Sequence, residues 1–440
     1  MDLTIAILVS FFWIIFSVTR GYFVGYPLSF ALALLTLVLW HRGFHLKTIL
    51  SLAIASSQKS FAVISILLLI GVVTAVWIAA GTVPALVYYG IQFLNPRYFV
   101  LSAFILTSVV SVLLGTSFGT VSTIGVALMI IARESHINSN LVAGAIIAGA
   151  YFGDRASPMS SSANLVASIT NTKLYTNLKN MTRTGLLPFL SASLVYLVLS
   201  ISNPVTITDN ILLTEIPKFF TLNLFVLLPA VIILVFSLLQ VEVKLTLISS
   251  ITVSLIVGIF FQNYSLNQII HYALYGFSLD NESALTPILQ GGGMISMLKV
   301  SIIVIISTAL AGVIAGTKIF ASVELLLEKI QSRSRLFLGT TAIGMAAAAF
   351  GCTQTIAILL TQQLVQESYH KKLDNYQLAL DLENSVVVLS PLIPWNIAGL
   401  VPATVLMTNW EFIPYTFYLY LLPIISWVQF QQKFSNKLLS

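Results

Sequence analysis

The sequence predicts an all-α polytopic membrane protein made of two inverted-topology repeats, with broken or re-entrant helices at the midplane. Three observations predict it. Of 440 residues, 58% are hydrophobic and only 8% charged, mean hydropathy is +0.96, and the apolar residues come in runs long enough to cross a bilayer as helices. These runs fall into two halves of similar order and spacing. In each half one long run is interrupted by Ser-Pro and then an asparagine, as Ser157-Pro158 with Asn164 and Ser390-Pro391 with Asn396.

The first apolar run, 3–19, follows Asp2 without a basic leader or a small-residue cleavage site, so it is expected to be a retained span. Runs at 23–40, 61–80, 98–114 and 117–132 come next. Between the last two, Gly115-Thr116-Ser117-Phe118-Gly119-Thr120 is too rich in glycine and hydroxyls to be a comfortable helix. It offers Thr116, Ser117 and Thr120 as oxygen ligands, or else a tight turn or small-residue helix contact. An interrupted run, 141–170, and a run at 186–202 complete the first repeat, 1–205. After an inter-repeat linker, 206–222, the second repeat, 223–440, holds runs at 223–240, 245–262, 296–316, 336–350, 353–366, 376–407 (interrupted) and 411–428.

Residues within the halves also correspond. Gly119-Thr120-Val121-Ser122-Thr123-Ile124 pairs with Gly351-Cys352-Thr353-Gln354-Thr355-Ile356, and Ser157-Pro158 with Ser390-Pro391. Lysine and arginine counts then orient the halves. The loop after the second run has Arg42, Lys47 and Lys59, whereas its partner 263–295 has none. Segment 81–97 has Arg97 alone against Lys318, Lys329, Arg333 and Arg335 in 317–335, and 171–185 has Lys173, Lys179 and Arg183 against none in 408–410. Every pair takes opposite sides, as inverted repeats require. Lys433 and Lys437 add that the C-terminus is cytoplasmic, and the same reading puts the N-terminus there, in a multi-pass plasma-membrane protein.

A single cysteine, Cys352, excludes an internal disulfide and a multi-cysteine metal site, and five scattered histidines suggest neither a metal centre nor a switch. The net charge of +6 is mostly loop lysine and arginine and gives no support to a nucleic-acid partner. No cofactor is expected beyond transported Na+ and H+. The expected partners are the lipid bilayer and either those ions or a small organic substrate, with homo-oligomer formation left open.

The stretch Phe152-Gly153-Asp154-Arg155-Ala156-Ser157-Pro158-Met159-Ser160 carries the chemistry. A carboxylate at bilayer depth costs a few kcal/mol on the mildest scales, about 3, and is kept where it faces water, an ion or a counter-charge. Neighbouring helical residues point about 100° apart, so Asp154 pairs with Arg155 only if the helix is broken. A low-dielectric cavity favours a protonated carboxyl and a bound cation favours an ionised one, so Asp154 can hold either a proton or Na+. Arg155 balances Asp154, holds a substrate carboxylate, or snorkels to the inner face. Ser157, Ser160 and Asn164, with Ser161 and Ser162, supply neutral oxygens that suit a hard cation, or pack helices; Asp154, Ser157 and Asn164 are the Na+ candidates. In the second half, Glu383 lies deeper in the apolar run and is expected to be a second protonatable group, with Asn384, Ser390 and Asn396 alongside. Asp381 is expected to be solvated at the interface. Arg133, Glu134, His136, Glu367, His370, Lys371, Lys372 and Asp374 are expected to mark helix ends.

These motifs resemble the NhaC family of sodium/proton antiporters, within the ion-transporter superfamily. The first carries the resemblance together with Gly115-Thr116-Ser117-Phe118-Gly119-Thr120, Gly351-Cys352-Thr353-Gln354, Leu382-Glu383-Asn384-Ser385 and Ser390-Pro391-Leu392-Ile393-Pro394-Trp395-Asn396. The resemblance implies a carrier of cations and protons, or, in some members, of organic acids or amino acids. Where the family commonly has an aspartate this chain has Ser161, and where it has Glu-Asp-Ser it has Glu383-Asn384-Ser385. Two acids fewer means less charge for cations, and an organic substrate gains weight.

The expectation is therefore a secondary transporter, not an enzyme, in which Na+ and H+ compete at Asp154 by alternating access. Segments 153–164 and 390–396 should meet at the midplane, with 115–120 and 351–355, including Thr353, beside them. The rival within transport is a sodium- or proton-coupled carrier of a small carboxylate or amino acid. A membrane enzyme would need a nucleophile and base or a metal set, and none is visible; inverted repeats argue against a channel.

Overall fold

The computed structural model describes residues 3–135, 137–204, 211–279, 289–317, 330 and 332–439. Among these, regular structure is helical, with one isolated antiparallel bridge, Phe277 to Gly291. Six helices are long and apolar enough to cross a bilayer, and two bent pairs qualify as broken spans, Leu213–Phe219 with Leu224–Leu238 at 95° and Asn375–Leu392 with Ile397–Val405 at 52°. The protein is an all-α, multi-pass membrane protein.

Three stretches expected as loops are helical. Leu46–Lys59 turns Ile49 and Ala53 onto Ala309 and Val313 and leaves Lys47 exposed. Leu174–Ser202 begins well before the apolar run, burying Asn177, Leu178, Met181 and Gly185 while Lys179 and Arg183 face outward. Leu266–Tyr275 opens with a capping box, Ser265 with Gln268, and buries Ile269 and Tyr272. Each has one apolar face, which a hydropathy window averages away. Ile211–Phe219 likewise forms a helix within the expected linker.

The tightest contact joins Phe99–Leu114 to Ser139–Ala156. Gly149-x-x-x-Gly153 makes it: a methyl on Gly149 would lie 2.1 Å from Thr107 Oγ1, and one on Gly153 2.2 Å from the Ser111 carbonyl carbon. Small residues let backbones approach in membranes, where lipid is as apolar as leucine. At that distance the Ser111 hydroxyl donates to the Ala150 carbonyl. The partners rise together along both chains, so the helices run parallel.

Two broken segments meet at the centre of the molecule. The first is Ser139–Ala156, then 157–160, then Ser161–Ile169. The second is Asn375–Leu382, a π turn Glu383–Val387, a 3-10 turn Ser390–Leu392, and Ile397–Val405. They touch at Tyr151, whose hydroxyl donates to the Ala398 carbonyl at 2.6 Å, and at Arg155, which donates to Asn384 Oδ1 at 2.5 Å. As one chain advances from 151 to 155 its partner retreats from 398 to 384, so the two run in opposite directions.

Candidate ion-coupling site

Proline places the breaks. Pro158 has no N–H for the carbonyl of Asp154, and Pro391 none for that of Val387. Each orphaned carbonyl finds a side chain: Ser162 Oγ donates to Asp154 O at 2.9 Å, and Gln354 Nε2 to Val387 O at 3.0 Å. The chain then restarts on capped helices. Ser160 Oγ accepts from Ala163 N at 3.2 Å, and Asn396 Oδ1 from Ala398 N at 2.9 Å.

Two helix-to-helix tips lie beside the breaks. At the first, Gly115 (φ +66) ends one helix and Thr116 caps the next by accepting from Gly119 N. Gly115 is doubly required, because a Cβ there would sit 2.3 Å from that of Met159. At the second, Cys352 (φ +53) ends a helix and Thr353 caps the next by accepting from Ile356 N. Cap geometry thus matches Thr116 with Thr353. The sequence correspondence of Gly119 with Gly351 is not a structural one, since Gly119 lies in the helix after the first tip and Gly351 ends the helix before the second.

The charges gather between these features. Asp154 is 5% exposed, and its carboxylate accepts from Ser117 Oγ at 3.4 Å, with the Gln354 amide and Ser160 hydroxyl also facing it. Arg155 is fully buried and diverges from Asp154, as adjacent helical positions must. Its guanidinium donates to Asn384 Oδ1, to Met181 O at 3.1 Å, to Thr184 Oγ1 at 3.2 Å and to Tyr418 OH at 3.4 Å. Gly185 makes room for it, since a methyl there would meet Arg155 Nη1 at 2.8 Å. Glu383 is fully buried with neither carboxyl oxygen hydrogen-bonded, and Arg155 and Asp154 are the charges that act on it. Arg155 Nε is also without a partner. An ionised carboxyl left dry costs several kcal/mol, on the order of 3 to 5 when its partner is missing. Glu383 therefore needs a proton, a cation or Arg155 to meet its charge.

The remaining singled-out residues sit near this centre but are engaged in backbone contacts. Ser157 Oγ donates to Val112 O at 2.7 Å and accepts from Met159 N at 3.1 Å. The Asn164 amide, on an exposed position, donates to Pro158 O at 3.1 Å and Ser160 O at 2.7 Å. Thr120 donates to Thr116 O, Ser390 to Val386 O, and Asn396 Nδ2 to Ala348 O. Asp381 is not solvated. It is fully buried, held by Arg333 Nη1 at 2.5 Å and Nη2 at 2.6 Å and by the Tyr369 hydroxyl, while Phe430 stacks 3.9 Å from the guanidinium. Arg133 does mark a helix end, donating to Leu406 O at 2.7 Å; His136, Lys318 and Lys329 lie outside the described residues. Sequence reasoning gave no role to Tyr151, Thr184, Gly185, Tyr418 or Gln354; of these, Gln354 alone carried a signal, one residue beyond a cap.

Residues 149–428, 280 of the 440, match the model of the Na+/H+ antiporter family. The chain belongs to the Na+/H+ antiporter family. It is 30% identical over 410 residues to the Na(+)/H(+) antiporter NhaC of Bacillus subtilis, covering 91% of this chain and 90% of that one. It is also 30% identical over 371 residues to the Na(+)/H(+) antiporter NhaC of Alkalihalophilus pseudofirmus, covering 82% and 80%. The Malate-2H(+)/Na(+)-lactate antiporter of Bacillus subtilis is 27% identical over 381 residues, covering 85% and 81%. As a member of the Na+/H+ antiporter family the chain is a membrane transporter, and the resemblance to the NhaC family holds.

Proposed function

We propose that this Na+/H+ antiporter family member exchanges Na+ for H+ by alternating access, the two ions competing at Asp154 with Glu383 as a second proton carrier. The observation that carries the reading is the pair of buried carboxyls at the junction of two broken helices, one weakly bonded and one without a hydrogen bond, around a single fully buried guanidinium. Such groups must change partners to change charge, and a proton and a cation are interchangeable partners. The ligand set drawn from the sequence, Thr116, Ser117, Thr120, Ser157, Ser160, Asn164, Thr353, Asn384, Ser390 and Asn396, lines the breaks and tips; Ser117 and Ser160 face the carboxylate itself.

The two repeats, 1–205 and 223–440, are inverted in this reading. Support comes from the opposed courses of the broken spans, the matched caps at Thr116 and Thr353, and the paired proline-freed carbonyls at Asp154 and Val387. Opposed repeats can trade conformations and expose one midplane site to either face. Loop charges put both termini in the cytoplasm of a cell-membrane protein.

A second reading, coupled exchange of a small carboxylate or amino acid, draws on Arg155, whose Nε is unpartnered and whose closest acceptor is the neutral Asn384. Proteoliposomes with a trapped pH dye separate the two. Sodium should evoke a saturable pH change that Asp154→Asn abolishes while the protein stays folded. Retained pH-dependent sodium exchange in that variant would sink the assignment; a folded wild type with no sodium-evoked change would move the reading to organic substrates.

A further inference from the structure

Gln354 stands between two oxygens. Its Nε2 donates to Val387 O at 3.0 Å, and the same amide faces the Asp154 carboxylate. An amide nitrogen has two N–H donors, and the bond to Val387 O uses one of them. A polar group set between a carbonyl and a carboxylate stands where a cation bound to both would stand.

The place is defined by proline chemistry. Val387 O has no N–H from position 391 to satisfy it, so something else must, and burial makes an unpaired carbonyl costly, on the order of 1 to 3 kcal/mol. In the matched break, Ser162 satisfies Asp154 O permanently from its own repeat. Val387 O is satisfied by a side chain from the neighbouring tip, which also faces the Asp154 carboxylate. Val387 occupies the position that corresponds to Asp154, so here the second half contributes a backbone oxygen in place of a carboxylate.

We propose that Gln354 is an ion-exchanged ligand: its amide nitrogen satisfies the Val387 carbonyl beside Asp154 when the site is empty, and the amide turns to present its oxygen when a monovalent hard cation enters between that carbonyl and the carboxylate. This rests on the reading of Asp154 as the cation carboxylate. Half a turn of the amide swaps donor for acceptor at nearly constant shape. Val387 O is paired in both states, by Nε2 or by the ion, and so neither state strands it. Ser117 Oγ completes the neighbourhood of the carboxylate. The side chain thereby links occupancy to the relative position of the two broken spans.

The test is sodium binding to the purified full-length protein, by titration calorimetry, in wild type, Gln354→Leu, Gln354→Glu and Asp154→Asn. Gln354→Leu removes donor and acceptor at similar volume and should weaken sodium binding by about tenfold. Gln354→Glu keeps an oxygen facing the site and should bind sodium at least as tightly as wild type. A merely structural Gln354 would be damaged by both changes. Wild-type sodium affinity in Gln354→Leu, or equal weakening in both variants, overturns the proposal. If Gln354→Leu does not fold, Gln354→Glu decides: binding as tight as wild type supports the exchange, and weaker binding overturns it. Undiminished sodium binding in Asp154→Asn would instead overturn the reading of Asp154, an outcome separable from either Gln354 result.

Discussion

Asp381→Ala should destabilise the protein by about 3 kcal/mol, the lower end of the range for breaking a buried ion pair from one side. Arg333 grips Asp381 through both Nη atoms, at 2.5 and 2.6 Å, and the carboxylate side chain has no exposure. Removing the acid strands the guanidinium. It is not wholly stranded, because the Arg333 side chain keeps 16% exposure, Gln377 Oε1 accepts from it at 3.3 Å and Phe430 stacks at 3.9 Å. Those residual partners argue for the lower end, roughly a hundredfold in the folding equilibrium. Unfolding in mixed detergent and SDS micelles, followed by tryptophan fluorescence on the full-length chain, measures it. The double variant Arg333→Met/Asp381→Leu should recover most of the loss, since apolar replacement of a whole buried pair is often neutral or better. An Asp381→Ala protein that unfolds at the wild-type SDS fraction, or a double variant no better than the single one, would refute the assignment of Asp381 to a structural clasp.

Gly153→Ala should destabilise by about 1 to 3 kcal/mol and cut exchange in proteoliposomes, because the new methyl meets backbone that cannot give way. Gly90→Ala is the control: its methyl would meet nothing closer than Ile131 Cδ1 at 3.5 Å, and its melting temperature should not fall. Asn384→Asp places a carboxylate on Arg155 while losing the amide's donation to Ser426 Oγ at 3.2 Å. Added negative charge beside Glu383 should lower the sodium concentration for half-maximal exchange several-fold, and an unchanged value would count against Arg155 acting on the site.

The two breaks were legible because proline's missing N–H is a local fact, visible wherever Ser-Pro interrupts an apolar run. Asp154 was legible for a related reason, as a charge where hydropathy tolerates none. Asp381 reads in sequence as an interfacial acid because its pairing with Arg333 joins positions 48 apart, and only tertiary packing decides whether an acid at the rim of an apolar run meets water or an arginine. The helices Leu46–Lys59 and Leu266–Tyr275 were hidden by their polar faces. Gly149 and Gly153 stood four apart in plain view, yet spacing alone does not say which helix approaches. Glu383 was found from its depth in the run, but its lack of any hydrogen bond is a property of its surroundings.

Correspondence between the breaks also explains why they differ. Pro158 and Pro391 each free a carbonyl, at Asp154 and Val387, but only the first of those residues carries an acid. With valine at the proline-matched position, the second break offers a backbone oxygen without a charge, and Glu383 lies one helical turn away, where Arg155 acts on it. In the proposed exchange one carboxylate binds the ion while the other balances the guanidinium. Charge then moves between them without leaving two like charges dry, which alternating access needs if the occupied site is to pass through a closed state.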